Sequence, residues 1–367
     1  MKLKTCLKAL GVAVMLLPTV IHADATAPEN TFYQRLQATS LDDGFEMEGY
    51  WIWGMSVIKG DDGLYHGFAS RWSKETPFGP NWVTNSEVVH ATAEKPEGPY
   101  TFQSVVLERR GKEFFDGLMT HNPSIHKSGD TYLLFYTGST YSFPFPREAI
   151  NRKQYVESRI KQRVGMATAK SPWGPWERSD NPILLPRPGK WDSLMTTNPA
   201  ICVKPDGRIL LVYKSAGREN GGKLKLGVAE AAAWDQPFRR LRSDPIFQFE
   251  DKSKHVEDPY MWWNGSQYEL VMKDMNGKVC GQRGGGIYAT SANGIDWNIS
   301  EPPLAYPRKF EKSDGSVLQP DYLERAQVLV QDGEPTHLFV AIGIKDKTKK
   351  GGYEALKQSR NICIPLK

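Results

Sequence analysis

Short hydrophobic runs bounded by turn residues extend along most of the chain. TYLLFYTG begins at Thr131 after a Ser-Gly-Asp turn, and ILLVYKS begins at Ile209 after Pro-Asp-Gly. Runs of this length with turn residues on both sides are typical of β-strands. The clearest helical pattern covers residues 147–161, a charged segment that we predict to be a surface insertion. The pattern therefore predicts an all-β chain.

An internal repeat indicates how these strands are organised. FDGLMTHNPS at 115–124 recurs as WDSLMTTNPA at 191–200. Looser copies begin at Trp53, His255 and Tyr322, and each leads through a turn into a second strand. Five copies of three to four antiparallel strands predict a five-bladed β-propeller in a single domain. We expect residues 361–366 to complete a blade with the N-terminal region and so to close the ring.

The N-terminus has the pattern of a secretory signal. It begins with Lys2, Lys4 and Lys8, continues with an apolar run at 9–21, and has small residues at 23 and 25. The apolar run is shorter than the roughly 20 residues needed to span a bilayer. We predict a signal peptide at 1–25, a propeller at 26–367, export to the periplasm or medium, and no membrane anchor.

Charge and cysteine content exclude some classes of protein. The formal net charge is +5 and becomes about +3 without the leader, so nucleic acid is not the expected partner. Cys202, Cys280 and Cys363 lack the spacing of a zinc site and are expected to be thiols with at most one bridge. We predict no cofactor and no metal site in the sequence; a cation bound in the channel and the oligomeric state stay open.

The repeat also predicts which residues line the central channel, because the first strand of each propeller blade faces the axis. Aligning the five copies predicts one layer formed by Gly54, His121, Thr197, Glu257 and Glu324. The next layer is predicted to contain Met55, Asn122, Asn198, Asp258 and Arg325. Burying so many polar groups is costly unless they are paired or solvated. Their concentration at the axis favours a ligand-binding funnel.

The segment HVEDPYMWW from His255 resembles a motif of the five-bladed propeller glycoside hydrolases of the family 43 type and their furanosidase relatives. In that family a Glu-Gly-Pro motif opens the fourth blade, and its Glu is the general acid. The resemblance implies this role for Glu257, with Asp258 at the glycine position. The family's first-blade base is replaced by Gly-Met-Ser at 54–56, and its third-blade Asp corresponds to Asn198. The resemblance therefore implies fold and saccharide binding more strongly than mechanism.

Glycoside hydrolysis needs a second carboxylate besides the acid. Asp116, Asp192 and Glu324 compete for this role, since the repeat places all three near the channel layer. Asp116 and Asp192 belong to the duplicated motif and could instead bond the loops that link the blades. We keep Asp116, Glu324 and His121 as catalytic candidates beside Glu257, because a histidine can shuttle a proton.

Further residues are predicted to bind the substrate. Lys214, Lys273 and Arg325 would suit a carboxylate or sulfate on an acidic sugar. Trp53 could stack on a sugar ring. The remaining polar candidates are Asn122, Asn198, Asp192, His255 and Asp258.

Three functions are consistent with these residues. The first is an exported, exo-acting glycoside hydrolase on oligosaccharides or polysaccharides, with acidic substrates expected. The second is a lyase or dehydratase that forms an unsaturated uronic acid, with a histidine and cations near the proton to be removed. The third is a propeller that binds carbohydrate without catalysis.

Overall fold

The computed structural model describes residues 30–217 and 222–367, and within them strands form five sheets around one axis. Blades 1 to 4 have four antiparallel strands each and blade 5 has three. The prediction of an all-β, five-bladed propeller is confirmed. The predicted signal peptide lies outside the described residues.

The strands of each blade follow one another from the axis outwards. Blade 1 contains β1 (Tyr50–Lys59), β2 (Tyr65–Ser73), β3 (Glu87–Ala93) and β4 (Thr101–Leu107), and blade 2 contains β5 (Met119–Ser128), β6 (Thr131–Ser139), β7 (Arg163–Ala169) and β8 (Glu177–Arg178). Blade 3 contains β9 (Thr197–Val203), β10 (Ile209–Ser215), β11 (Lys225–Ala231) and β12 (Arg239–Arg240), and blade 4 contains β13 (Val256–Trp263), β14 (Tyr268–Asp274), β15 (Gly286–Ser291) and β16 (Asn298–Tyr306). Blade 5 contains β19 (Tyr322–Gln331), β20 (Glu334–Lys345) and β21 (Leu356–Pro365). A two-stranded ribbon, β17 (Phe310–Glu311) and β18 (Val317–Leu318), precedes blade 5, and the helices are α1 (Trp82–Asn85) and α2 (Arg152–Ile160).

The hydrophobic core is divided among the interfaces between neighbouring blades. Leu133 of blade 2 packs with Leu211 of blade 3, for example, and Trp262 of blade 4 packs with Val340 of blade 5. The inner strands contact one another in the order β1, β5, β9, β13, β19 and back to β1. The ring is therefore closed by packing between sheets.

Each inner strand is interrupted at the same place by a residue in the left-handed region. These residues, with φ between 51° and 57°, are Gly54, Asn122, Asn198, Asp258 and Arg325. The pairing with the second strand shifts register at each of them. Glycine, asparagine and aspartate adopt this conformation at low cost, which explains the Asn-Pro and Asp-Pro pairs of the repeat.

These bulges correct the predicted register of blade 1 by one residue. Gly54 is equivalent to Asn122, so Trp53 shares the layer of His121 and Glu257, and Met55 lies one position further along. The first copy of the repeat has no Asn-Pro or Asp-Pro pair and, unlike the copy in blade 5, no charged residue at the channel position, so its alignment had little to anchor it.

The first and the last described segments of the chain meet in blade 5. The predicted last strand is longer than expected and forms the third strand of this blade as β21. Residues of the first described segment reach it through the isolated bridges Phe45 to Asn361 and Leu36 to Leu366 and through single hydrogen bonds such as that from the Thr39 hydroxyl to the Cys363 carbonyl oxygen. The N-terminal region therefore touches the last blade without adding a full strand to it.

The predicted helix lies inside the expected segment but is shorter. It begins after Asn151, whose side chain forms a reciprocal capping box with Gln154. Packed beside α1, it forms a wall at one end of the axis and is more than a surface insertion. Among residues 30–217 and 222–367, no helix is long and apolar enough to cross a membrane. Cys202, Cys280 and Cys363 are free thiols.

Candidate functional site

A cavity of about 540 Å³ opens at one end of the propeller axis. Its aromatic walls are formed by Trp53, Trp72, Phe78, Trp82, Tyr155 and Tyr353. Its polar floor is formed by residues of the inner strands and by Lys214 near the end of β10: His121, Asn122, Asn198, Lys214, Glu257, Asp258, Glu324 and Arg325. A concave site with apolar walls and a few convergent polar groups is typical of small-molecule binding.

The aromatic wall is held together by edge and face contacts between its members. The ring of Phe78 lies 4.7 Å from Trp53 in an edge arrangement and 5.4 Å from Tyr353 in a stacked one, measured between centroids. Trp82 of α1 lies 5.0 Å from the His121 ring. These contacts fix flat apolar surfaces beside the polar floor, an arrangement suited to a sugar ring.

Two carboxyl groups and two ammonium groups form a buried cluster at the floor. Lys214 Nζ donates to Glu257 Oε2 at 2.9 Å, and Lys273 Nζ donates to Glu257 Oε1 at 3.2 Å. Lys273 also contacts Glu324 Oε1, which accepts a hydrogen bond of 2.5 Å from the Tyr353 hydroxyl. Lys273 borders an adjoining cavity, so it approaches both carboxyl groups from behind the floor.

The pKa values of the two carboxyl groups are driven apart. Burial would raise the pKa of Glu257, but the ammonium groups of Lys214 and Lys273 outweigh it and hold that pKa well below its usual range. Burial, opposed by Lys273 but reinforced by the charges of Glu257 and Asp258, raises the pKa of Glu324. One carboxyl group is thus kept ionised while its neighbour retains a proton more readily.

His121 stands opposite this cluster as a neutral imidazole. Its Nδ1 lies 2.8 Å from the Ser86 hydroxyl. Burial lowers the pKa of His121 well below its usual value, and the positive charges of Arg325 and Lys214 lower it further. A neutral imidazole can accept or relay a proton.

The bulge residues form a chain of side-chain contacts across the axis. Asn122 Nδ2 donates to Asn198 Oδ1 at 2.9 Å, and Asn198 Nδ2 donates to Asp258 Oδ1 at 2.6 Å. Arg325 Nη1 donates to the same Asp258 oxygen at 3.3 Å. Gly54 closes the ring without a side chain. The predicted binding residues Asn122, Asn198 and Asp258 therefore support one another as well as lining the cavity.

Asp116 requires a correction, because the structure places it away from the residues that line this cavity. Its fully buried carboxylate accepts hydrogen bonds from Arg110 Nε at 2.8 Å and the Tyr136 hydroxyl at 2.6 Å, with Arg178 Nη1 at 3.5 Å. All its partners belong to blade 2 and the loop that leads into it. We therefore withdraw Asp116 as a catalytic candidate.

Asp192 occupies the equivalent place in blade 3, which corrects its predicted role in substrate binding. It accepts hydrogen bonds from Arg187 Nε at 2.9 Å, Arg240 Nε at 2.9 Å and the Tyr213 hydroxyl at 2.8 Å. The duplicated motif thus builds the same internal network twice.

His255 and the three predicted cations also differ from expectation. His255 is half-buried at a separate cavity and does not line the axial one. Lys214 and Lys273 are paired with Glu257, and Arg325 is paired with Asp258. These three cations are compensated by protein carboxylates, so they offer less attraction to an acidic sugar than the sequence indicated.

Several cavity residues were missed by the sequence analysis. Trp82, Tyr155 and Arg159 come from α1 and α2, and Tyr353 comes from a turn before β21. Tyr155 and Arg159, four residues apart on one helix face, were a usable signal within the predicted helix. Nothing in the sequence around Tyr353 indicated that it reaches the axis.

No family model and no curated protein matches this chain at the sequence level. Solved structures do match. Zg3597, a family 117 glycoside hydrolase produced by the marine bacterium Zobellia galactanivorans, is 16% identical, with 90% of each chain covered and a TM-score of 0.62. A thermostable family 43 glycoside hydrolase is 12% identical over 90% of this chain and 92% of its own, with a TM-score of 0.56.

The catalytic domain of a family 62 α-L-arabinofuranosidase from Coprinopsis cinerea is similar as well. It is 12% identical, covers 90% of this chain and 96% of its own, and has a TM-score of 0.55. At these identities the likeness concerns the fold. The chain is a five-bladed β-propeller with an axial cavity, and it shares this architecture with glycoside hydrolases.

Proposed function

We propose that this protein is a carbohydrate-active enzyme that hydrolyses glycosidic bonds in the axial cavity. The observation that carries the proposal is the pair Glu257 and Glu324, two carboxyl groups with opposite pKa shifts at the floor of an aromatic-walled cavity. Pairs of carboxyl groups whose pKa values are driven apart are the usual acid and base of glycoside hydrolysis. The shared fold with family 117, 43 and 62 glycoside hydrolases supports the same class of reaction.

The proposed roles reverse the one implied for Glu257 by the sequence resemblance. Two lysines keep Glu257 ionised, so it is a poor proton donor, whereas Glu324 holds its proton more readily. In the proposed step, Glu324 protonates the departing oxygen as the glycosidic bond breaks, and Glu257 stabilises positive charge at the anomeric carbon. Water then supplies a hydroxyl group to that carbon and a proton that restores Glu324.

The shape of the site supports action at chain ends. The cavity has a floor made by the bulge residues of the inner strands, and α1 and α2 form one of its walls. A terminal sugar fits such a pocket more easily than the middle of a polysaccharide does. We propose exo-action on oligosaccharides, in the periplasm or medium as the N-terminal signal pattern indicates.

Elimination is the second candidate, and the observation that favours it is His121. Its imidazole is buried and neutral, and the positive charges of Arg325 and Lys214 help to keep its pKa low. A neutral base beside cations could remove a proton next to a uronate carboxylate.

Product analysis tests the proposal directly. The mature protein is incubated with neutral, uronate-containing and sulfated oligosaccharides, and new reducing ends and unsaturated uronate absorbance are measured together. Reducing ends without the unsaturated chromophore support hydrolysis. The chromophore supports elimination instead, and binding without any product would make the protein a carbohydrate-binding propeller.

A further inference from the structure

Two arginines at the mouth of the cavity differ from the cations at or behind its floor. Lys214, Lys273 and Arg325 each contact a protein carboxylate. Arg152 and Arg159 of α2 line the same cavity, yet within residues 30–217 and 222–367 neither makes an ion pair or a side-chain hydrogen bond. The insertion in blade 2 therefore brings two positive charges to the site that pair with no carboxylate among residues 30–217 and 222–367.

Arg159 packs against aromatic rings, and its guanidinium donates no hydrogen bond within the part of the chain that the structure describes. Its guanidinium carbon lies 5.4 Å from the ring centroid of Trp82 and 5.9 Å from that of Tyr155. Stacking on aromatic faces orients a guanidinium and leaves its N–H groups free. The residue is half-buried, so these donors are preorganised at the edge of the aromatic wall.

The charge of Arg159 also acts on the floor of the cavity. It contributes to lowering the pKa of both His121 and Glu257. A helix residue that influences both groups projects towards the reacting end of the site and away from the outer surface. A ligand that reaches Glu257 and Glu324 would therefore pass within reach of this guanidinium.

We propose that Arg159 is a specificity-determining residue that binds a carboxylate or sulfate group of the saccharide, with Arg152 adding positive charge beside it. The inference rests on the proposed function, because it deepens the substrate class of the same site. A guanidinium offers two parallel N–H donors to either anion. Acidic substrates were expected from the sequence because of Lys214, Lys273 and Arg325. In the structure, the arginines of α2 are the better candidates to bind such substrates.

The test measures binding by calorimetry with matched pairs of ligands. One pair is a uronate-containing oligosaccharide and its methyl ester, and the other is a sulfated oligosaccharide and its desulfated form. We expect the charged member of at least one pair to bind wild-type protein about tenfold or more tightly than its neutral counterpart. The pair that shows the preference identifies the anion as carboxylate or sulfate.

Variants then assign the preference to this residue. Arg159→Gln should bring the two members of the pair to similar affinities, while Arg159→Lys should keep part of the preference because it keeps the charge but loses the bidentate geometry. Lys153→Gln is the matched control, since it removes one charge from the exposed face of the same helix. If Arg159→Gln is unstable, Arg159→Lys and the salt dependence of wild-type binding still decide the outcome.

Several results would overturn the inference. These are equal affinity within both pairs, no binding of either charged ligand, or a preference that survives in Arg159→Gln. The outcomes for the proposed function are separate, because affinity is measured without turnover. A charge preference without products contradicts hydrolysis alone, and hydrolysis of neutral and charged ligands with equal affinity contradicts the anion site alone.

Discussion

Two kinds of buried charge cluster occur in this propeller, and they are built differently. The clusters around Asp116 in blade 2 and Asp192 in blade 3 are copies of one design. In each, a carboxylate with no exposed surface is bonded by a tyrosine hydroxyl and flanked by two arginines. The cluster around Glu257 and Glu324 has no copy elsewhere among residues 30–217 and 222–367 and combines residues of blades 3, 4 and 5.

The repeated clusters have an evident mechanical role. Arg110 donates to the backbone oxygen of Ser179 at 2.9 Å, and Arg187 donates to that of Ser243 at 2.8 Å. Each arginine thus ties the loop entering a blade to the segment after its outermost strand. The cluster that occurs in both blade 2 and blade 3 supports the blade itself, whereas the cluster around Glu257 and Glu324 lies where a ligand can reach it.

The largest effect is expected from Glu324→Gln. This variant keeps the shape of the side chain but cannot donate a proton, so turnover should fall by roughly 10²- to 10⁴-fold. Turnover and melting temperature are measured together. Glu87→Gln is the control, since Glu87 is a paired glutamate outside the cavity. Full activity of folded Glu324→Gln would contradict the catalytic role of the Glu257 and Glu324 cluster.

Asp192→Asn should affect stability instead of chemistry. It leaves Arg187 and Arg240 without their carboxylate, and we expect a loss of about 2–4 kcal/mol, less than for a fully buried pair because both guanidinium groups reach solvent. Chemical denaturation measures this loss. Asp116→Asn should behave alike in blade 2. A drop in turnover per folded molecule, with stability unchanged, would contradict the structural role.

The pH dependence of turnover should reflect the two opposed shifts. Glu324 must be protonated, so activity falls as pH rises through its raised pKa, and Glu257 must be ionised, so activity falls as pH drops through its lowered pKa. Lys214→Met removes one of the charges that lower the pKa of Glu257, and the acidic limb of the rate profile should move to higher pH. An unchanged acidic limb would show that the ionisation of Glu257 does not control turnover.

Gly54→Ala should have the smallest effect and concerns the bulge residues that line the axis beside the Glu257 and Glu324 cluster. An added Cβ would lie 3.3 Å from Arg325 Cγ and 3.4 Å from Asn122 Oδ1, at a φ of +57°. We expect a loss of about 1–2 kcal/mol. Gly63→Ala is the control, with φ of +86° and nothing within 4 Å of the added atom. Equal losses in the two variants would show that packing at the axis adds nothing.

The sequence predicted the blades well because each blade is specified by residues that are close together in the chain. A turn followed by a hydrophobic strand, repeated with Asn122-Pro123 and Asn198-Pro199, identifies both the unit and its number. The alignment failed in blade 1, where Trp53 took the place assigned to Gly54, because that copy has neither a proline pair nor, as blade 5 has, a charged residue at the channel position.

The sequence by itself determined the all-β repeat, the five blades, and the polar residues His121, Glu257 and Glu324 that face the axis. Tertiary structure alone decided their electrostatic state. The lysines that hold Glu257 ionised lie on neighbouring strands, and Tyr353, which bonds Glu324, lies 29 positions further along the chain. Charge interactions depend on distance in space and on burial. A ring of blades brings together residues that are far apart in the sequence, so their positions in the sequence reveal neither quantity.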